Sequence, residues 1–294
     1  MRNLLCMVAV AAMALSVQGQ DISPILGEWN EALAEQGLGI QIHKVEFMVD
    51  PNSTADPMGR TVFASDRTLT LNTRWVPNDP RRLADGNNLT YLQDPNYALA
   101  DGIINSEPII DGTFETWDTT TQCSNMPLVK RPYTGVEPNF VLGLVFGFPA
   151  DPFQADITTT GFLPGFVFDI IAPNGSQYIL GATFTLNFVD ENGNPSDING
   201  DGYVDVALKE VWYNDAFSWS TNGVGGIDIA SVALHENGHA LGLGHFGTIF
   251  TNSSGKLHVA PRALMNASYL GVVPEPMGTD HAAHCILYGS WPNQ

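Results

Sequence analysis

The feature that most constrains the fold of this chain is a short histidine motif towards its C-terminal end. It reads H-E-N-G-H-A-L-G-L-G-H and runs from His235 to His245. Because side chains four residues apart share one face of an α-helix, His235 and His239 can bind the same metal ion. Gly242 allows the backbone to leave the helix abruptly, so the chain can turn back and offer His245 as a third ligand. The motif therefore predicts a helix, a sharp turn and a metal centre.

The residue types in this motif favour catalytic zinc. Three neutral imidazoles with one open position are a ligand set of catalytic zinc sites. Glu236 follows the first ligand directly and is aimed beside the metal, so we expect it to act as a general base on a water molecule. A coincidental cluster on a buried helix is the alternative interpretation. The motif contains three of the seven histidines of the chain, and each residue type falls at the required offset, which favours the zinc site.

The motif resembles the extended pattern H-E-x-x-H-x-x-G-x-x-H of the metzincin clan of zinc metalloproteases. Residues 263–267, which read A-L-M-N-A, resemble the Met-turn of that clan, with Met265 beneath the metal. Residues 212–219 and 280–289 resemble the matrixin family in particular. The chain departs from matrixins at Phe246, where they have Ser or Thr, and it lacks their P-R-C-G motif.

The resemblance implies a fold and an activity. The implied fold is of the α/β (α+β) class: a metzincin-like, twisted, mostly parallel sheet with an active-site helix and a C-terminal helix. The implied activity is that of a secreted zinc metalloendopeptidase acting on protein or peptide substrates. A substrate chain would then add antiparallel to an edge strand, for which residues 178–189 are one candidate. The alternatives are a catalytically silent binding protein that kept this fold, and a zinc hydrolase of a cell-wall amide.

A second metal is predicted in an acidic loop over residues 197–205. Oxygen ligands recur there at every second position, as in calcium-binding loops, and Gly202 permits a tight bend. The candidate calcium ligands are Asp197, Asn199, Asp201, the carbonyl of Tyr203, and Asp205. A solvated acidic turn is the alternative, since the twelfth position, where an EF-hand has glutamate, is Leu208.

Composition limits the partners of the chain. Its 12 Lys and Arg residues face 31 Asp and Glu residues, which gives a formal charge of −19. Nucleic acid and anionic membranes are therefore not expected as partners, because both require clustered cations. Residues 1–19 carry an early arginine, an apolar run and small residues before Gln20, the pattern of a secretory signal peptide. We expect a secreted protein that acts as a monomer.

Two cysteines follow the predicted leader, Cys123 and Cys285. In an exported protein they most simply form one disulfide, although Cys123 could instead cap the metal in a latent form. We expect one matrixin-like domain over residues 86–294. Residues 20–85 are either a removable prosegment or part of the fold.

Hydrophobic periodicity and capping residues predict the main elements. Helices are expected near residues 25–33, over 103–118, over 227–241 and over 279–288 with Thr279 as N-cap. Strands are expected over residues 40–49, 68–75, 89–92, 178–189 and 211–213.

Overall fold

The computed structural model describes residues 23–52, 65–66, 69–82, 86–121, 123–251 and 257–293. The predicted signal peptide, residues 1–19, lies outside the described residues. A membrane-spanning helix is not found in the described part of the chain, since no helix there combines sufficient length with sufficient apolar character.

Six α-helices lie in the described part of the chain. They are α1 (Ser23–Gln36), α2 (Glu107–Thr120), α3 (Phe140–Phe146), α4 (Phe166–Ile171), α5 (Ile229–Ala240) and α6 (Gly278–Tyr288). The strands that concern the site are β1 (Ile40–Val49), β2 (Ser65–Asp66), β3 (Thr73–Arg74), β4 (Leu89–Gln93), β5 (Leu99–Ala100), β6 (Ile104–Asn105), β7 (Leu128–Lys130), β8 (Ile157–Leu163), β9 (Ile179–Phe188) and β10 (Val204–Asn214). The short strands after them are β11 (Trp219–Ser220), β12 (Ile227–Asp228), β13 (Gly247–Thr251) and β14 (Leu257–Ala260).

A seven-stranded mixed sheet forms the centre of the described fold. Its strand order is β1-β9-β10-β8-β4-β7, and β3 pairs with one end of β10. The pairs β10–β8, β8–β4, β4–β7 and β3–β10 are parallel, whereas β9 runs antiparallel to both β10 and β1. The predicted α/β class with a mostly parallel sheet is therefore confirmed.

One predicted position in the sheet is wrong. Residues 178–189 were one candidate for the edge strand, but β9 is hydrogen-bonded on both sides, by β10 and by β1. The outer position belongs to β1, whose residue Phe47 pairs with Ala182 of β9. The described parts of residues 20–85 thus add α1, β1 and β3 to the fold, since β1 and β3 lie in the same sheet as the rest of the chain.

Buried side chains cover both faces of this sheet. On one face α2, α5 and α6 pack around Phe114, Trp117, Val232, Met265 and Leu287, which we call the α5-side core. On the other face α1, α3 and α4 pack against the sheet. The α1-side core includes Trp29, Phe140, Phe168, Phe184 and Trp212. The site therefore stands on a sheet that is buried on both faces.

Several predicted boundaries shift for local reasons. The helix expected from residue 103 begins at Glu107, because Pro108 is tolerated only in a first helical turn, and β6 precedes it. The strand expected over residues 68–75 is reduced to β3, while the strand expected over 211–213 is part of the much longer β10. The closing helix begins at Gly278 rather than after Thr279, because the Asp280 carboxylate accepts a hydrogen bond from the Met277 amide.

Candidate metal centre

Helix α5 positions the first two histidines of the motif. Its N-terminus is capped by Asp228, whose carboxylate accepts a hydrogen bond from the Ser231 amide. The helix ends just before Gly242. This residue has a left-handed φ of 86°, a conformation that residues with a Cβ rarely adopt. This turn sends the chain back towards the helix and delivers His245, as the sequence predicted.

The three histidines meet at one point. Potential ligand atoms of His235, His239 and His245 all lie within 4.8 Å of one another. The Nε2 atoms of His239 and His245 are 3.1 Å apart, and the buried Nε2 of His235 has no hydrogen-bond partner. Three converging ring nitrogens, on the buried His235 and His239 and the half-buried His245, suit a bound cation. The residues present therefore fit a metal ion.

The outer nitrogens of the rings are held by other groups. The Nδ1 atoms of His235 and His239 lie 2.8 Å from the carbonyl oxygens of Leu264 and Leu243, respectively. A carbonyl can only accept a hydrogen bond, so each Nδ1 carries the proton and each Nε2 presents a lone pair. The Nδ1 of His245 faces a carboxylate instead, at 3.7 Å from Oε2 of Glu46.

Burial keeps these imidazoles neutral. Loss of solvation lowers the pKa of His235 to about 4, against an ordinary value of 6.5. The pKa values of His239 and His245 are also lowered well below 6.5, first by burial and then by the neighbouring histidines. A metal ligand must be the neutral imidazole, so the three rings are ready to bind a cation at neutral pH.

Glu236 lies beside the histidines without joining their cluster. Its Oε2 accepts a hydrogen bond of 2.7 Å from the Thr183 hydroxyl of β9, and its Oε1 accepts one of 3.3 Å from the Met48 amide of β1. Burial raises the pKa of Glu236 to about 8, which the hydrogen bonds from Thr183 and Met48 only partly offset. A buried carboxyl with a raised pKa is a group that can take up and release a proton near neutral pH.

The predicted Met-turn lies under the helix that carries the ligands. A Cβ at Gly238 would overlap the sulfur of Met265, so this close approach of helix and turn requires glycine. The turn is fixed by Asp280 of α6, whose carboxylate accepts hydrogen bonds from the amides of Leu264 and Met265 at 2.9 and 3.1 Å. The carbonyl that holds His235 is thereby fixed as well.

The acidic loop at residues 197–205 is stabilised by donors of the chain itself. Asp201 forms an ion pair with Arg74 at 2.8 Å, and Asp205 forms one with Arg81 at 2.7 Å. The Asp197 carboxylate accepts hydrogen bonds from backbone amides within the loop. Among the described residues, only the three site histidines form a cluster of three or more His, Cys, Asp or Glu side chains with metal-binding spacing. Calcium binding by Asp197, Asn199, Asp201, Tyr203 and Asp205 stays a prediction.

The two cysteines lie together, away from the histidines. Their Sγ atoms are 1.96 Å apart, at disulfide distance, and link the chain after α2 to α6. Cys123 therefore has Cys285 as its neighbour rather than the metal centre.

Sequence reasoning missed four residues around the centre. Thr183, Glu46 and Met48 carry no local signal, because the contact between Met48 and Glu236 spans 188 positions of the sequence. The sequence does give a signal for Asp280. A single carboxylate in the first turn of an apolar closing helix needs hydrogen-bond donors when it is buried.

No family model matches the chain, and no curated protein matches it either. A functional assignment therefore depends on the geometry and chemistry of the centre itself.

Proposed function

We propose that the chain is a secreted, zinc-dependent metalloendopeptidase of the metzincin type. The observation that carries the proposal is the convergence of three neutral imidazoles next to a buried glutamate that is not among them. A purely structural zinc site closes all four positions with protein ligands, whereas here three ring nitrogens and a neighbouring acid are brought together. That arrangement supports hydrolysis.

His235, His239 and His245 would hold the zinc ion. When bound, zinc supplies a Lewis acid that lowers the pKa of a water ligand towards ~7 and polarises a carbonyl group. Glu236 takes the proton of the attacking water on its carboxylate and returns it to the amine that leaves. Thr183 holds the carboxylate oxygen Oε2 in place, so the transfer falls to the other oxygen, Oε1, which here accepts a hydrogen bond from the Met48 amide.

Specific features favour a peptidase over the two alternative functions, a silent binding protein and a hydrolase of a cell-wall amide. A silent binding protein has no need for the buried glutamate with a raised pKa, and here neither the glutamate nor any of the three histidines is lost. The extended histidine motif and the Met-turn support a peptidase rather than a hydrolase of a cell-wall amide. Casein and a cell-wall preparation, offered separately, discriminate between the two substrates.

The decisive prediction concerns Glu236→Gln. Glutamine keeps the size and polarity of the side chain but cannot take up a proton, so zinc stays bound while hydrolysis of casein falls at least ~10²-fold. Zinc content and hydrolysis are measured for wild type, Glu236→Gln, His239→Ala and Glu115→Gln. The last variant changes a glutamate on the exposed face of α2 and should behave as wild type.

Activity is measured before and after limited trypsin digestion, with trypsin inhibited before the assay, because a removable prosegment is one of the two interpretations of residues 20–85. Equal zinc in wild type and His239→Ala would refute the ligand assignment. A zinc-loaded Glu236→Gln that cuts casein at the wild-type rate would refute the mechanism. A wild-type protein that cuts nothing in either state would leave the silent binding protein as the better explanation.

A further inference from the structure

Strand β1 lies in a slot between two stretches of backbone. On one side it pairs antiparallel with β9 along its whole length. On the other side Val49 donates a hydrogen bond to the Ala267 carbonyl and accepts one from the Tyr269 amide, both at 3.0 Å. Val49 therefore forms a parallel bridge with the segment that follows the Met-turn. A strand at the margin of a sheet ordinarily presents one unpaired backbone edge, whereas Val49 is hydrogen-bonded on both sides.

The slot passes directly in front of the histidines. Side chains alternate along a strand, and residues Val45, Phe47 and Val49 are buried in the α1-side core. Glu46 and Met48 consequently face the metal centre. Glu46 reaches His245, and the Met48 amide donates to Oε1 of Glu236. The peptide bond whose nitrogen faces the proposed general base is thus the one between Phe47 and Met48.

The Met48 side chain is buried and forms part of the wall of a small cavity. The side chain is 4% exposed and belongs to the α5-side core. The cavity lies between helix α5 and the segment that follows Met265, and it is lined by Ser231, Leu264, Ser268, Tyr269 and Val273, among others. The flexible, unbranched side chain of Met48 thus packs against the α5-side core and leaves this small space beside it.

These contacts are the ones that an extended peptide would need in order to be cut here. Such a peptide gains affinity from backbone pairing with a strand and specificity from pockets for alternate side chains, and the nitrogen of its reacting bond must be near Glu236. We propose that β1 occupies the cleft as a substrate would, so that the chain is latent while β1 is in place. Its preferred substrates are accordingly extended segments with a methionine-sized apolar residue at the position of Met48. This inference rests on the proposed function.

Helix α1 holds the occupying strand in place. The side chain of Asn30 accepts a hydrogen bond from the Ile42 amide at 2.7 Å and donates one to the Ile42 carbonyl at 3.0 Å. Trp29 of α1 packs near Phe184 of β9. Since β1 is covalently part of the chain, its effective concentration at the cleft is high, and a free peptide competes poorly with it. Latency therefore depends on how well β1 fits rather than on a covalent block.

The test separates occupancy of the cleft from catalysis. Full-length, zinc-loaded Glu236→Gln cannot cut, so binding of a fluorescent peptide with the sequence of residues 41–50 can be measured by anisotropy. Adding Met48→Asp places a carboxylate among the buried apolar side chains of the α5-side core and loosens β1. We expect the affinity for the peptide to rise at least tenfold. Val136→Asp adds the same charge at an exposed apolar position and should leave the affinity unchanged.

A second variant covers the case in which Met48→Asp fails to fold, which circular dichroism would reveal. Asn30→Ala removes both hydrogen bonds to Ile42 but lies outside the cleft, and it should raise peptide affinity about threefold. If neither folded variant binds the peptide better than Glu236→Gln alone, the inference is overturned.

The same variants with Glu236 restored complete the test. Met48→Asp should then hydrolyse the peptide at least tenfold faster than the undigested wild type, and equal rates would contradict latency. A Met48→Asp chain that binds the peptide tightly but never cuts it would uphold the occupancy of the cleft by β1. It would refute the proposed function instead.

Discussion

At the scale of single residues, Glu210 of β10 shows how burial alters a carboxyl among the residues of the α1-side core. It is fully buried, and its oxygens accept hydrogen bonds from the amides of Val141 and Leu142, the Trp212 indole and the Thr160 hydroxyl. Burial outweighs these donors and raises the pKa of Glu210 from 4.5 to about 7. The residue ties β10 to the start of α3.

This shift predicts a pH dependence of stability. Between pH 4.5 and about 7 Glu210 is ionised in the unfolded chain but protonated in the folded one, so the folded state binds the extra proton. Stability from this group is therefore fully present below pH 4.5 and is lost as pH rises to about 7, by up to about 1.4 kcal/mol per pH unit.

Chemical unfolding of wild type and Glu210→Gln across this pH range checks the prediction. Glutamine does not titrate, so any other effect of the substitution changes the unfolding free energy by an amount that does not vary with pH. The pH dependence of the difference in unfolding free energy between the two proteins therefore comes from Glu210. A difference that is flat from pH 4.5 to 7 would mean that the four donors keep Glu210 ionised in the folded protein.

At the scale of elements, the loop between β9 and β10 is the place to test the second metal. Arg74 and Arg81 already compensate Asp201 and Asp205, so a calcium ion would have to compete with two internal cations. If calcium nonetheless binds, millimolar calcium raises the melting temperature of the wild type by mass action.

The variants Asp201→Ala and Asp190→Asn make this calcium prediction specific. Asp190 is an exposed carboxylate in the adjoining turn and takes no part in the predicted ligand set, so Asp190→Asn should keep the calcium effect while Asp201→Ala loses it. Identical melting curves of the wild type in calcium and in a chelator would show that the arginines alone stabilise the loop.

The link between Cys123 and Cys285 connects two elements that support the centre. It joins the chain after α2 to α6, across a sequence separation of 162 residues. Closing so long a loop restricts the unfolded chain, so replacing both cysteines by serine should cost ~2–5 kcal/mol of unfolding free energy. Urea unfolding measures this loss. Reduced wild type is the control and should match the double variant; an unaltered midpoint in both would exclude a stabilising disulfide.

At the scale of the whole molecule, the sheet makes one unit of the two cores. Phe184 of β9 is fully buried, and its ring lies 4.3 Å from that of Trp212 and 6.4 Å from that of Trp29. The next residue but one on the same strand, Ala182, pairs with Phe47 of β1. A defect in the α1-side core should therefore also affect the strand that faces the metal centre.

Phe184→Ala tests this connection. The cavity should cost ~3–5 kcal/mol of unfolding free energy, and tryptophan fluorescence and circular dichroism should report one coincident transition. Phe166→Ala is the matched control, since that ring is 59% exposed and its loss should cost no more than ~0.5 kcal/mol. Two separate transitions in Phe184→Ala would show that the cores unfold independently.

The sequence by itself determined the elements whose causes are local. The spacing of His235 and His239, the capping carboxylate near the start of α5 and the glycine after its end act within a few residues, so they predicted the helix and the turn correctly. Hydrophobic periodicity likewise predicted β1, and the run of β-forming residues over residues 178–189 predicted β9. The convergence of the three histidines could thus be predicted from the sequence.

Only the tertiary structure decided which of these elements touch. Alternation tells which face of a strand is buried but does not name its partner, so the pairing of β1 with β9, and with it the position of Met48 at Glu236, could not be read from the sequence. The same holds for Thr183 at Glu236 and for Asp280 at the Met-turn. These contacts join distant parts of the chain, and they form because burying a polar group is costly unless another element supplies its hydrogen bond.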